Sequence, residues 1–132
     1  ELALQLGHEE DAGKVRDRLG DLLKRADHVI FVAEVDRQIA GWIHGFLFSM
    51  LYLETVCEIA ALVVDKNHRK QGIGKKLIDF IKEWAQEQGC SEVSLHSNIK
   101  REEAHRFYQH IGFELMKTSH TFSRKIEKMK QR

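Results

Sequence analysis

Ile59-Ala60-Ala61-Leu62-Val63-Val64 is the most apolar run of the chain, short and partly β-branched, and it predicts a strand covered on both faces. Downstream, Ile73, Leu77, Ile78, Ile81, Trp84 and Ala85 recur at helical spacing with Lys and Glu between them, which predicts a long amphipathic helix. Upstream, a helix fits Gly13 to Lys24 with Val15, Leu19, Leu22 and Leu23 as its stripe. Val29 to Val35 and Ile39 to Phe46 predict two strands joined by a tight turn at Asp36-Arg37, an antiparallel hairpin, and Leu51 to Glu58 leads on into the central run. Beyond the long helix, Glu92 to Ser97 alternates as a strand. A further helix fits Lys100 to His110, with Ala104, Phe107, Tyr108 and Ile111 on one face, Glu102 and Glu103 in its first turn and Gly112 as its stop. Two short strands, Phe113 to Lys117 and Thr121 to Ile126, precede a basic tail from Glu127 to Arg132. The opening Glu1 to Gly7 reads as the tail of a helix ended by glycine.

Composition narrows the class. The chain has 132 residues and 42% hydrophobic content, enough for one domain with a real core, and no repeat, linker or low-complexity tract divides it. Lys and Arg number 21 against 20 Asp and Glu, a net charge of +1, which argues against a nucleic-acid protein. No apolar run approaches a membrane span and no signal-peptide pattern is present, so no membrane partner is expected. Cys57 and Cys90 suggest neither a disulfide framework nor a redox motif, and a reducing cytoplasm fits them best. His8, Glu9, Glu10 and Asp11 read as a solvated polar loop, with no second ligand group spaced to complete a metal site.

The chemistry concentrates where the apolar run meets the long helix, at Asp65-Lys66-Asn67-His68-Arg69-Lys70-Gln71-Gly72-Ile73-Gly74-Lys75-Lys76. A helix start leaves backbone N–H groups without intrahelical partners, and its dipole adds positive charge. Gly72 and Gly74 let a ligand approach closely, while Arg69, Lys70, Lys75 and Lys76 surround the turn with charge, so a pyrophosphate suits it; an ordinary turn with a solvated basic rim is the alternative. Neither the Walker A pattern nor the dinucleotide fingerprint is met. Arg69-Lys70-Gln71-Gly72-Ile73-Gly74 does match Arg/Gln-x-x-Gly-x-Gly/Ala, and after a strand ending Leu62-Val63-Val64-Asp65 it resembles the acyl-CoA-binding segment of the GNAT superfamily of N-acetyltransferases. A second motif of that superfamily, Ala-x-x-Phe-Tyr-x-x-x-Gly-Phe, is met by Ala104, Phe107, Tyr108, Gly112 and Phe113.

The resemblance covers nearly the whole chain and implies an α/β (α+β) fold: a mixed, mostly antiparallel twisted sheet of about six to seven strands flanked by about four helices, the first strand lying before residue 1. It implies acetyl-CoA as co-substrate and direct transfer to a primary amine of a small molecule, with no metal and no covalent enzyme intermediate. Leu62, Val63 and Val64 would pair with the peptide-like arm of CoA, and Arg69, Lys70, Gln71, Gly72, Ile73, Gly74 and Lys75 would hold its pyrophosphate. A backbone N–H near Val64, at a distorted strand end, would meet the reacting carbonyl oxygen. A primary amine is mostly protonated at neutral pH, so a base is needed, and Glu58 stands where several members carry a glutamate that acts as base or binds the ammonium; its alternative is a strand-edge carboxylate. Tyr108 occupies the family's acid position, opposite the bland reading of an aromatic packed on a helix. Where many relatives place a CoA-binding asparagine this chain has Arg101, a donor for a phosphate or an anionic group, while Asn98 either contacts CoA or caps the helix.

Among acceptors, the segment around Tyr108 looks like aminoalkylphosphonate N-acetyltransferases and resembles aminoglycoside 6'-N-acetyltransferases, and Tyr52, Glu54, Glu58, His44 and His96 are candidates to line either pocket. His96 is a second candidate base. A protein or peptide N-acetyltransferase and a non-catalytic CoA-binding regulator are the other readings, and similar proteins are frequently homodimers.

Overall fold

The computed structural model describes residues 12–98 and 100–128. The helical tail read over residues 1–7 and the polar loop of residues 8–11 lie outside them. The chain divides into two compact units, residues 1–96 and 97–132.

The first unit is a four-stranded sheet with helices. In order come α1 (Ala12–Leu23), β1 (His28–Val35), β2 (Gln38–Met50), β3 (Leu53–Val64), a short 3-10 turn (Lys66–His68), α2 (Ile73–Glu87) and β4 (Val93–Leu95). The sheet order is β1-β2-β3-β4, antiparallel except for the parallel β3–β4 pair. Asp36 and Arg37 both take positive φ, 49° and 67°, which is the twist a two-residue hairpin turn requires. The segments read as Leu51 to Glu58 and Ile59 to Val64 are one continuous strand, because both halves find partners along the 13-residue β2.

The core lies where α2 crosses β2 and β3. Leu77, Ile78, Ile81 and Ala85 of α2 are buried, the helical stripe expected from spacing, and the strands contribute Ala40, Ile43, Cys57, Ile59 and Val63 to the buried set. A Cβ on Gly45 would stand 2.7 Å from Ile81 Cδ1 and 3.4 Å from Cys57 Sγ, so the odd-numbered side of β2 near Gly45 faces α2. Phe31 of β1 meets Phe80 with ring centroids 5.6 Å apart, extending that face, and an apolar groove runs beside it, lined by Phe31, Val35, Ile73, Leu77 and Phe80. The stripe expected on α1 is different: no α1 residue is buried, and Val15, Leu19 and Leu23 stay exposed among the described residues. Helix α2 ends in a Schellman motif in which Gly89 at φ +84° donates to Gln86 and Cys90 donates to Ala85.

The second unit holds α3 (Glu102–His110), whose end repeats that motif through Gly112 and Phe113. The two terminal strands expected over 113–117 and 121–126 are absent from the described residues, which carry no strand after β4. Leu115, Met116, Phe122 and Ile126 stand 74%, 83%, 93% and 93% exposed, so the β-rich composition there has no neighbouring strand to pair with, and strand formation needs that partner. No described helix is long and apolar enough to cross a membrane.

Candidate active site

The site in the first unit begins with a break in the sheet. Strand β3 pairs with β4 only from Cys57 to Ile59, opposite Val93 to Leu95, and then runs on to Val64 with no strand on that side among the described residues. The register against β2 also shifts here. Gly45 pairs with Ile59 and His44 with Ala61, so Ala60 is an extra residue, exposed, in a β-bulge. Leu62, Val63 and Val64 therefore present one backbone edge to β2 and leave the other open, as a peptide-like ligand arm requires. The distortion expected near Val64 sits four residues earlier, at Ala60.

The chain then turns tightly into α2. A second bulge in the β1–β2 pair leaves Ala40 without a partner, and its carbonyl accepts from Asp65 N at 2.7 Å. The Asp65 carboxylate accepts from Asn67 N and pairs with His68 Nδ1 at 3.0 Å, and Arg69 Nε donates to Val64 O at 3.3 Å. These contacts bind the turn to the strand end. Lys70 and Gly72 both take positive φ, 64° and 80°, and Gly72 is the N-cap of α2 with no side chain capping the helix. The first intrahelical bond is donated by Lys76 N to Gly72 O, so the N–H groups of Gly72, Ile73, Gly74 and Lys75 are left for a ligand. A Cβ on Gly72 would meet nothing within 4 Å, so the protein leaves the space beside that residue open. Ile73 and Gly74 are half-buried, whereas Arg69, Lys70, Gln71 and Lys75 are exposed, with Lys75 Nζ donating to Asp79 at 3.1 Å. Open backbone, dipole and cationic rim together fit an anion such as pyrophosphate.

Glu58 lies on the sheet face opposite α2, since its strand neighbours Cys57 and Ile59 are the buried ones. It is opposite Phe46 on β2 and Ser94 on β4. Its Oε1 accepts a hydrogen bond from Nδ1 of His96, which follows β4 by one residue; the Glu58 side chain is 14% exposed and that of His96 75%. On the same face His44 Nε2 and His28 Nδ1 lie 2.8 Å apart, and the His28 ring stacks on Phe46 at 5.4 Å. Burial, followed by the charge of His28, holds His44 below the ordinary imidazole range. Glu54 shares the strand with Glu58, on the order of 13 Å along it, while Tyr52 is at the exposed hairpin tip. Burial pushes the Cys57 thiol up to about 11, with Cys90 and Glu58 adding to it, so Cys57 stays a neutral thiol. Among the described residues no group of three His, Cys, Asp or Glu is placed to hold a metal ion.

In the second unit, Tyr108 is half-buried on α3 between the rings of Phe107 and Phe113, at centroid separations of 5.4 and 5.8 Å. Burial raises its phenol above the ordinary range, and the positive charge of Arg101 partly offsets this. Arg101 is the N-cap residue of α3, with an exposed side chain. Asn98 is not the cap: its Oδ1 accepts from Lys100 N at 2.9 Å and its carbonyl from Arg101 N at 3.0 Å, closing a turn ahead of the helix. The bulge at Ala60, the Glu58–His96 contact and the His28–His44 pair are the features that residue patterns alone did not reveal.

The family model described as the acetyltransferase (GNAT) family matches residues 3–113. An uncharacterised N-acetyltransferase of Bacillus subtilis is 45% identical over 42% of this chain and 39% of its own length. The aminoalkylphosphonate N-acetyltransferase of Salmonella typhimurium is 38% identical over 50% of this chain and 43% of its own. The chain thus matches under half the length of these curated relatives. The solved structure of AAC(6')-Iy, in complex with the bisubstrate analog CoA-S-monomethyl-acetylneamine, superposes with a TM-score of 0.85 at 18% identity, covering 95% of this chain and 88% of that one. With its α/β fold and both family motifs in order, the chain belongs to the acetyltransferase (GNAT) family.

Proposed function

We propose that this protein moves the acetyl group of acetyl-CoA to a primary amine of a small molecule by direct attack. The observation that carries this reading is the uncapped start of α2 joined through Arg69–Gly72 to the end of β3, which pairs with β2 on one edge only. The N–H groups at Gly72–Lys75, with Arg69 and Lys70 beside them, would hold the pyrophosphate, and Leu62, Val63 and Val64 the amide-bearing arm. A nucleotide of another kind could use the first feature, but it has no amide arm for the second.

The acceptor enters as an ammonium. One proton leaves its nitrogen toward the carboxylate side of the site at Glu58, and the freed lone pair attacks the thioester carbon. As the C–S bond breaks, the CoA sulfur takes a proton from Tyr108, whose raised phenol is protonated at neutral pH, and the second nitrogen proton restores that phenol. Cys57, a buried neutral thiol, takes no part. The cytoplasm is the compartment that suits its free cysteines.

Among acceptors, an aminoalkylphosphonate and an aminoglycoside are chemistries that its relatives' names carry. Thiol release from acetyl-CoA against a panel of aminoalkylphosphonates, aminoglycosides, polyamines, amino acids and short peptides tests the proposal. Release with a small amine is the expected result. Silence across the panel with acetyl-CoA bound in calorimetry would overturn transfer to small amines, and release with peptides alone would replace the acceptor class.

A further inference from the structure

We propose that the proton acceptor of this reaction is His96, acting through Nε2, and that Glu58 is its positioning residue. This rests on the acetyl-transfer reading above and assigns the two members of the pair that the parallel strands bring together. Glu58 and Ser94 are register partners across β3 and β4, and His96 follows Ser94 by two residues, which places it on the same side of the sheet as Glu58. The contact they make uses His96 Nδ1 as donor and Glu58 Oε1 as acceptor.

That bond decides which atom can do the work. A neutral imidazole has one N–H and one lone pair, so an Nδ1–H given to the carboxylate leaves the lone pair on Nε2. Nε2 has no partner among the described residues, and the His96 side chain is 75% exposed. Glu58 is in the opposite position: its side chain is 14% exposed, and one of its two oxygens is already engaged. An acceptor nitrogen therefore meets the imidazole before it meets the carboxylate. The carboxylate holds the ring orientation and tautomer, the part that a buried acid plays for a catalytic histidine elsewhere.

The proton balance is simple. The ammonium gives one proton to Nε2, which makes an imidazolium and frees the nitrogen lone pair. The C–N bond forms, the C–S bond breaks, and the second nitrogen proton ends on the CoA sulfur by way of Tyr108. The exposed imidazolium then returns its proton to water, so one proton is released per turnover and no oxidant or further reactant is needed.

Two measurements on the full chain test this. In steady-state kinetics with acetyl-CoA and the amine acceptor identified by the thiol-release panel, His96→Ala is expected to lower kcat about 100-fold with little change in the KM for acetyl-CoA, and added imidazole should restore part of the loss. Glu58→Gln, which can still accept from Nδ1–H, should cost only about tenfold. Retention of the parent kcat by His96→Ala would overturn the assignment. So would a Glu58→Gln variant more damaged than His96→Ala with no imidazole rescue of the latter, which would make Glu58 itself the base. Long-range proton–nitrogen NMR correlation of the histidine rings reads the tautomer without any turnover: the Nδ1–H form is expected for His96 in the parent and its loss in Glu58→Ala, whereas an Nε2–H form in the parent would overturn the inference. A parent that shows the Nδ1–H form yet fails to bind acetyl-CoA would sink the acetyl-transfer reading and leave the pairing standing.

Discussion

Replacing Gly72 with alanine separates what the backbone needs from what the ligand needs. Gly72 takes φ +80°, and a Cβ built there meets nothing within 4 Å, so the methyl group adds no clash inside the protein. The remaining cost is the left-handed conformation, about 1–2 kcal/mol for a residue with a side chain. Gly89, at φ +84° and equally open, carries the same cost at the other end of α2, about 22 Å away along a 15-residue helix. Gly72→Ala and Gly89→Ala should therefore melt at similar temperatures, each lowered by roughly 3–8 °C in a domain of this size. Affinity for acetyl-CoA should part them. On the proposed placement of the anion a methyl at residue 72 stands beside the pyrophosphate, and loss of even one charge-assisted bond costs about 2 kcal/mol, roughly 30-fold in Kd. Calorimetric titration with acetyl-CoA below both melting temperatures makes the comparison. A Gly72→Ala protein that binds within threefold of the parent, or a Gly89→Ala protein weakened as much, would refute the placement of the anion over Gly72.

Two further outcomes are expected. Tyr108→Phe keeps the ring contacts with Phe107 and Phe113 and so should melt like the parent, while kcat falls about 100-fold with the KM for acetyl-CoA unchanged; an unaltered kcat would remove its role as acid. His44 has a folded pKa below its ordinary value of 6.5, so on acidification the unfolded chain takes up a proton that the folded chain resists; the stability involved is present above pH 6.5 and lost as pH falls below it. Melting temperature should drop from pH 7 toward pH 5 more steeply in the parent than in His44→Gln, and parallel curves would show that the His28–His44 pair does not govern that loss.

What residue patterns made legible was local. The α2 stripe repeats every three or four residues, the Asp36-Arg37 turn is two residues long, and the Gly72 motif joins adjacent elements; all three stand where spacing put them. The terminal segments from Phe113 onward show the limit of the same reasoning, because β-rich composition describes a residue's fitness for a strand and not the presence of a neighbour.

The Glu58–His96 pair was hidden for a different reason. Glu58 and His96 are 38 residues apart, and only the parallel register of β3 on β4 brings them together, which no single-segment period reports. The bulge at Ala60 was hidden by the very run that predicted the strand. In a strand with one polar face an extra residue shows as a slip in the alternation, but Ile59 to Val64 is apolar at every position, so the slip leaves no trace. Its effect on the site is large all the same. Counting by twos from Glu58 would put Leu62 and Val64 on Glu58's face, whereas the bulge puts Ala61 and Val63 there, opposite His44 and Trp42, and turns Leu62 and Val64 toward the α2 side. The strand end with one unpaired edge and the carboxylate bonded to His96 thus belong to one strand, and the bulge between them shifts its alternation by one residue.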